Sequence, residues 1–229
     1  MIKVENIQTW GFEHAVRGMR NPMNSWSKSD SKFGVFNLPG YEASGDPNCE
    51  NCEIKSYVNI GPNDLDLMKR LYKAGSEHRK YLRQIFIVMD ITAPLYWWKE
   101  FDTYKVGTVA NSCSTMHKIA AKEFTLDDFS HEHLINEWME YYNPSTLNQK
   151  IIGCLNEARK KFLETKDKVY WWQMIQLLPS SYNQRRTVTM NYENAITMIK
   201  QRTGHKLDEW NEFVKVLHDL PYIAEITEG

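Results

Sequence analysis

The chain has 229 residues, 42% of them hydrophobic and 25% charged, with 28 Lys+Arg against 29 Asp+Glu. It is long enough for a sizeable core, too apolar to be disordered, and too balanced in charge for the global basic field that duplex nucleic acid demands. No run reaches the ~18 uncharged apolar residues of a membrane span. No apolar segment follows basic residues at the start as in a secretory signal, and four cysteines do not make a disulfide scaffold, so a cytoplasmic protein with reduced thiols is expected.

The first eight residues alternate weakly (Ile2, Val4, Ile7) and predict an opening strand. Gly11 to Met19 predicts a helix with Phe12, Ala15, Val16 and Met19 on one face. From about 20 to 60 the periodicity stops. This Asn-, Ser-, Gly- and Pro-rich stretch predicts a long irregular loop with room for one hairpin. Asn63 is a candidate N-cap before Asp64 and Asp66, with Leu65, Met68, Leu71 and Tyr72 as the apolar stripe and Gly75 as the stop. Arg83 to Ile91 predicts a buried strand that Pro94 ends, followed by a helix over LYWWKEFDTYK. Val106 to Lys122 favours neither helix nor strand. Helices are then expected at Leu134–Tyr142, at Ser145–Lys166 with Leu147, Ile151, Leu155 and Phe162 facing inward, from Asn191 as cap to Arg202, and at Leu207–Leu220. An extended segment is expected at Asn183–Met190. Helices around few strands predict an α+β fold in one domain over 1–229.

The chemistry-bearing patterns are sparse. Cys49-x-x-Cys52 has the spacing of a metal half-site or redox pair, but no second half is present and ordinary loop cysteines are the preferred reading. His131-x-His133 does not share a helical face, and its serine neighbour Ser130 fits an N-cap. No HExxH, P-loop, GxSxG or GxGxxG is present, which argues against zinc proteases, NTPases, α/β-hydrolases and dinucleotide dehydrogenases. Arg17, Arg20 and Lys28 share a segment with short polar donors, a composition that suits phosphate and equally a solvated loop. Cys113, within Asn111-Ser112-Cys113-Ser114-Thr115, becomes a nucleophile if Lys105 or Lys118 lowers its pKa, and is otherwise a buried inert thiol.

Two segments resemble the flavin-dependent thymidylate synthase family. The first is Gly75-Ser76-Glu77, the strand IFIVMDI and the Pro94-led helix, after which TYKVGTVANSCSTM stands ungapped on the signature R-H-R-x-x-S-x-N-E-x-S-x-R-Y. The second is Leu178-Pro179, then Thr189-Met190-Asn191 at the head of a helix, then Arg202. The resemblance spans roughly 63 to 217. It implies that family's α+β fold, a small antiparallel sheet with several long helices, and a homotetramer. It also implies conversion of dUMP to dTMP with FAD, NADPH and methylene-tetrahydrofolate.

Carried over residue by residue, the resemblance implies flavin contacts for Thr103, Tyr104, Lys105, Asn191 and His78. It implies pyrimidine contacts for Ser114, Thr115 and Arg202, with Arg202 stabilising charge on the ring carbonyl. Arg20 is a candidate replacement for lost phosphate-binding cations. Thr103-Tyr104-Lys105 stands where Arg-His-Arg is expected, Cys113 replaces the second Ser, Thr115-Met116 replaces Arg-Tyr, and Glu193 stands where many members have Arg. A one-residue gap instead pairs Asn111 with the family Asn and Ser114 with the Ser. Three functions follow. One is a divergent enzyme of this type. Another is a homologue without FAD, retained as a nucleotide-binding or structural module. The last is flavin-free pyrimidine chemistry through Cys113, on which an exposed cleft thiol is expected to react faster than Cys154 in mid-helix.

Overall fold

The computed structural model describes residues 2–36, 55–137 and 143–228. Cys49 and Cys52 lie outside them. The described residues form an α+β fold, as the sequence predicts, and fall into two compact units. One takes in Met1–Gln8, Ile87–Met190 and Thr197–His218, the other Thr9–Phe86, Asn191–Ile196 and Asp219–Gly229.

A four-stranded sheet dominates the first unit. Its strands are β1 (Lys3–Trp10), β4 (Phe86–Pro94), β5 (Val109–Ser112) and β6 (Asn183–Asn191), in the order β1-β4-β6-β5. Burial alternates along β4, so Ile87, Met89, Ile91 and Ala93 all face the core. The next helix, α3 (Leu95–Phe101), is shorter than predicted, because Asp102 is its C-cap and Thr103 Oγ1 turns back to donate to the Glu100 carbonyl. It delivers Trp97 and Phe101 onto Trp210 and Phe213 of α8 (Asp208–His218), with ring centroids 4.8–6.4 Å apart, while Trp98 packs edge-on against Trp97 and Phe101. This cluster absorbs much of the aromatic surplus. A short helix, α4 (Thr115–Lys118), leads to a second core, in which Ile119, Phe124 and Phe129 pack on Leu155 and Ala158 of α5 (Pro144–Thr165) and Met174 of α6 (Lys168–Leu177).

Several expectations for this unit need correction. Over the described residues 134–137 there is no helix. The carbonyls of Leu134 and Ile135 accept from Ser145 Oγ, and that of Asn136 accepts from Asn143, so they are not used in a helical ladder. Ser130 donates to Glu132 within a turn. Leu147, expected inside, is 43% exposed, while Leu155 is fully buried. Helix α6 was not predicted. It follows Lys166 in a left-handed turn (φ 58°), with Asp167 accepting from the Val169 N–H as its cap.

In the second unit α1 (Phe12–Arg20) buries the predicted face, Phe12, Ala15, Val16 and Met19. Gly11 before it has φ 95°, and a Cβ there would stand 2.2 Å from the Gln84 carbonyl oxygen, so only glycine fits. The region expected as one loop contains two 3-10 turns, Asn21–Met23 and Trp26–Lys28, and the antiparallel pair β2 (Lys32–Phe36) and β3 (Lys55–Asn59), with Lys32 opposite Asn59. Helix α2 (Pro62–Lys73) starts one residue before Asn63. Pro62 fills N1 and Gly61 is the cap. Helix α7 (Tyr192–Arg202) begins where predicted, and Asn191 Oδ1 accepts from the Asn194 N–H. The chain closes with α9 (Ile223–Thr227), which had no expectation.

Candidate functional site

Pairing of β5 with β6 builds the cleft around Cys113. Ser112 lies opposite Arg186. The ladder runs one step further, with the Cys113 N–H donating to the Arg185 carbonyl at 2.9 Å and Gln184 Nε2 donating to the Cys113 carbonyl at 2.9 Å. Cys113 is therefore held by its backbone while its side chain stays exposed. Ser114 then caps α4, accepting from the His117 N–H, and its hydroxyl lies 2.8 Å from His117 Nδ1.

Cys113, Ser114, Thr115 and Lys118 line one side of a cleft of about 390 Å³. Lys122, Asp127 and Asp128, with Tyr182 to Arg185, also line it, over an apolar floor that includes Ile119 and Phe124. This is a common size for a small-molecule site. Its cations are not equivalent. Lys122 is paired with Asp128, whose hydrogen bond holds the ammonium pKa above its ordinary value. Arg185 reaches Asp90 at 2.8 Å and Glu5 at 3.5 Å. Asp90 also accepts from Thr187 and Asn6, and these bonds hold its carboxyl well below the usual carboxylate range. Lys118 makes no ion pair among the described residues. Burial pushes the Tyr182 phenol pKa up, so it is a neutral donor at pH 7.

The structure thus brings together the candidates Cys113, Ser114 and Thr115. It adds Lys122, Tyr182, Asn183 and Arg185, which the sequence reading missed. For Asn183 and Arg185 the sequence signal is the predicted extended segment at 183–190, since an antiparallel neighbour is needed to bring them to Cys113.

Arg202 has a different setting. Its guanidinium stacks on Trp210 at 4.6 Å and on Tyr104 at 5.5 Å. Nε donates to the Tyr104 hydroxyl at 2.9 Å and Nη1 to Glu100 at 2.7 Å. It does not line the Cys113 cleft. Tyr104, expected to contact flavin, also donates to Gln201. Thr103 is taken up by the end of α3. Lys105 makes no ion pair among the described residues.

Asn191 and His78 belong to the other unit. Asn191 is the helix cap described above, and His78 is exposed, its N–H donating to the Gly75 carbonyl. Arg20, proposed as a phosphate ligand, is only 4% exposed and donates through Nε to Asp64 at 2.6 Å. Cys154 is exposed on α5 and so is not shielded in the way mid-helix placement suggested. Glu193, in place of the family Arg, binds Arg79 at 2.8 Å and Arg83 at 3.3 Å.

No protein-family model and no curated protein matches the chain. Among solved structures it is similar to a flavin-dependent thymidylate synthase from Helicobacter pylori complexed with FAD and dUMP, with TM-score 0.64 and 15% identity over 97% of this chain and 96% of that one. A second structure, thymidylate synthase X from the same organism with FAD and dUMP, gives TM-score 0.62 and 14% identity over 99% and 100%. Nearly the whole of each chain superposes, so the likeness concerns the complete architecture and not one motif. The chain has the fold of the flavin-dependent thymidylate synthases.

Proposed function

We propose that the chain binds a pyrimidine deoxynucleotide of the dUMP type in the Cys113–Lys118 cleft and acts on it without a resident flavin dinucleotide. The cleft itself supports this most. It sits on the segment that aligns with the family signature, and it offers an ammonium, that of Lys118, with no ion pair among the described residues, beside hydroxyl donors.

The residues aligned with the flavin contacts do not fit FAD. A pyrophosphate carrying two charges meets one ammonium, Lys105. The Tyr104 hydroxyl, the Thr103 hydroxyl and the Asn191 amide oxygen are already bonded within the chain. At ~1.5–3 kcal/mol per charged hydrogen bond, two missing arginines cost several kcal/mol. One observation favours the flavin-using reading, in which dUMP is methylated with reduced FAD, NADPH and methylene-tetrahydrofolate: both similar structures hold FAD together with dUMP.

Spectroscopy separates the two readings. The purified protein is expected to be colourless and to release added FAD on desalting. A retained oxidised-flavin band would sink the flavin-free reading. Calorimetry tests the nucleotide. dUMP is expected to bind, and Lys118→Ala to weaken it at least tenfold, as loss of a charge-assisted bond to phosphate predicts (~1.5–3 kcal/mol). Binding unaffected by Lys118→Ala would move the phosphate elsewhere.

A further inference from the structure

We propose that the cavity between α1 and the turn Trp26–Lys28 binds a small aromatic monocarboxylate. The cavity measures about 270 Å³, room for one ring and a short acidic arm. Every residue that lines it belongs to the second unit, so the proposal stands apart from the nucleotide reading of the Cys113 cleft. Arg20 forms part of the wall. The residue is 4% exposed, yet its guanidinium is only partly used. Nε donates to Asp64 at 2.6 Å and Nη1 to the Ser25 carbonyl at 3.2 Å. Nη2 has no acceptor among the described residues, and unlike Trp97 Nε1 it is not sealed from solvent. A deeply buried arginine keeps its donors bonded, because each unmet one costs free energy. Nη2 therefore offers two N–H groups to an acceptor that enters the cavity.

The rest of the lining sets the class of ligand. Trp26 is 50% exposed, but its ring is held, with Nε1 donating to Asn21 Oδ1 at 2.8 Å. Together with Val16 and Phe33 it gives the cavity an apolar, aromatic side. An indole already fixed in place takes a flat ring at little cost in side-chain order. The charges select a single negative one. Arg17 and Glu13 also line the cavity, and the Arg20 charge is balanced by Asp64. Two cations thus stand against two carboxylates, so a phosphate dianion meets Glu13 with no positive surplus to hold it. Its further oxygens also lack donors, because the Ser29 and Ser31 hydroxyls on the lining both give their protons to Asp64. A carboxylate needs fewer partners. One oxygen accepts from Arg20 Nη2, the exposed Arg17 guanidinium supplies the second cation, and the ring lies on Trp26.

The test is a titration of the isotope-labelled full chain with phenylacetate. It is followed by calorimetry and by the Trp26 indole N–H resonance, identified by its loss in Trp26→Phe. The resonance is expected to shift saturably. Phenylethanol, which keeps the ring and lacks the charge, should bind at least about tenfold more weakly, the loss of a charge-assisted hydrogen bond. Arg17→Ala and Trp26→Ala, both at exposed residues and both checked for fold by circular dichroism, should each weaken phenylacetate at least about threefold. Inorganic phosphate at the same concentration should not displace it. A Trp26 resonance indifferent to phenylacetate overturns the site. Equal binding of phenylethanol, or displacement by phosphate, overturns the monocarboxylate class and the proposal with it. Binding as tight in both alanine variants as in the parent puts the ligand elsewhere and overturns it too.

Discussion

Asp64→Ala is expected to lower stability by about 3–5 kcal/mol, because it leaves the Arg20 charge buried without its partner. Asp64 is fully buried and Arg20 almost so. The carboxylate is the hub of its surroundings. Besides Arg20 it accepts from the hydroxyls of Ser29 and Ser31, both at 2.7 Å, and from the N–H groups of Asp30 and Ser31. Arg20→Met is expected to be strongly destabilising as well, since the four remaining donors all fall on Oδ2 and Oδ1 of the buried carboxylate loses its donor. Burial alone would raise the Asp64 pKa. The Ser31 and Ser29 hydroxyls and the Arg20 guanidinium outweigh it and hold the pKa below the ordinary value of 3.8. A depressed carboxylate pKa stabilises the fold above the unfolded value and loses that contribution as pH falls through the folded one. Urea unfolding of parent and Asp64→Asn should therefore show a wide gap at pH 7 that closes as pH drops below 3.8. A gap independent of pH would mean that the charge on Asp64 contributes nothing.

Trp97→Ala is expected to cost a similar ~3–5 kcal/mol, the range for deleting a large buried aromatic. Trp97 is fully buried and touches Trp98, Phe101, Trp210 and Phe213. Its Nε1 has no partner among the described residues. The neighbouring indoles differ. Trp98 Nε1 donates to the Gln184 carbonyl at 2.9 Å and Trp210 Nε1 to Glu100 at 3.0 Å. Trp97→Phe therefore removes an unsatisfied donor along with some volume, while Trp98→Phe strands a buried carbonyl. Thermal or urea unfolding should rank Trp97→Phe as the milder of the two, and the reverse order would show that volume outweighs hydrogen bonding here.

The sequence was most informative where one face of one element is buried. Helix α1 and strand β4 were legible because apolar residues recur at the helical or the alternating period. It was least informative where polar side chains replace the backbone ladder, as at Leu134 to Asn136, and where a non-glycine residue turns left-handed, as at Lys166. The Asp167 cap was a readable signal for α6 that composition obscured. Within the cleft, the stretch from Cys113 to Lys118 is contiguous and was found. Asn183 and Arg185 come from a strand about 70 residues later, at the separation of the Gln184–Cys113 bond, and only pairing joins them. The Arg20–Asp64 contact spans 44 positions, so Arg20 looked like a free cation when read alone.

Glu100 gathers Arg202, Trp210 and, at 3.4 Å, His205 around one carboxylate. From outside, Arg202 is then not a monopole. Its positive charge and the negative charge of Glu100 lie 2.7 Å apart, and an approaching anion meets a dipole whose attraction fades much faster with distance than that of a lone ion. Capture of an anionic ligand from solution therefore falls to ammonium groups such as Lys118, which has no ion pair among the described residues. Arg202 can influence only a molecule already in contact with it, through direction and not through reach.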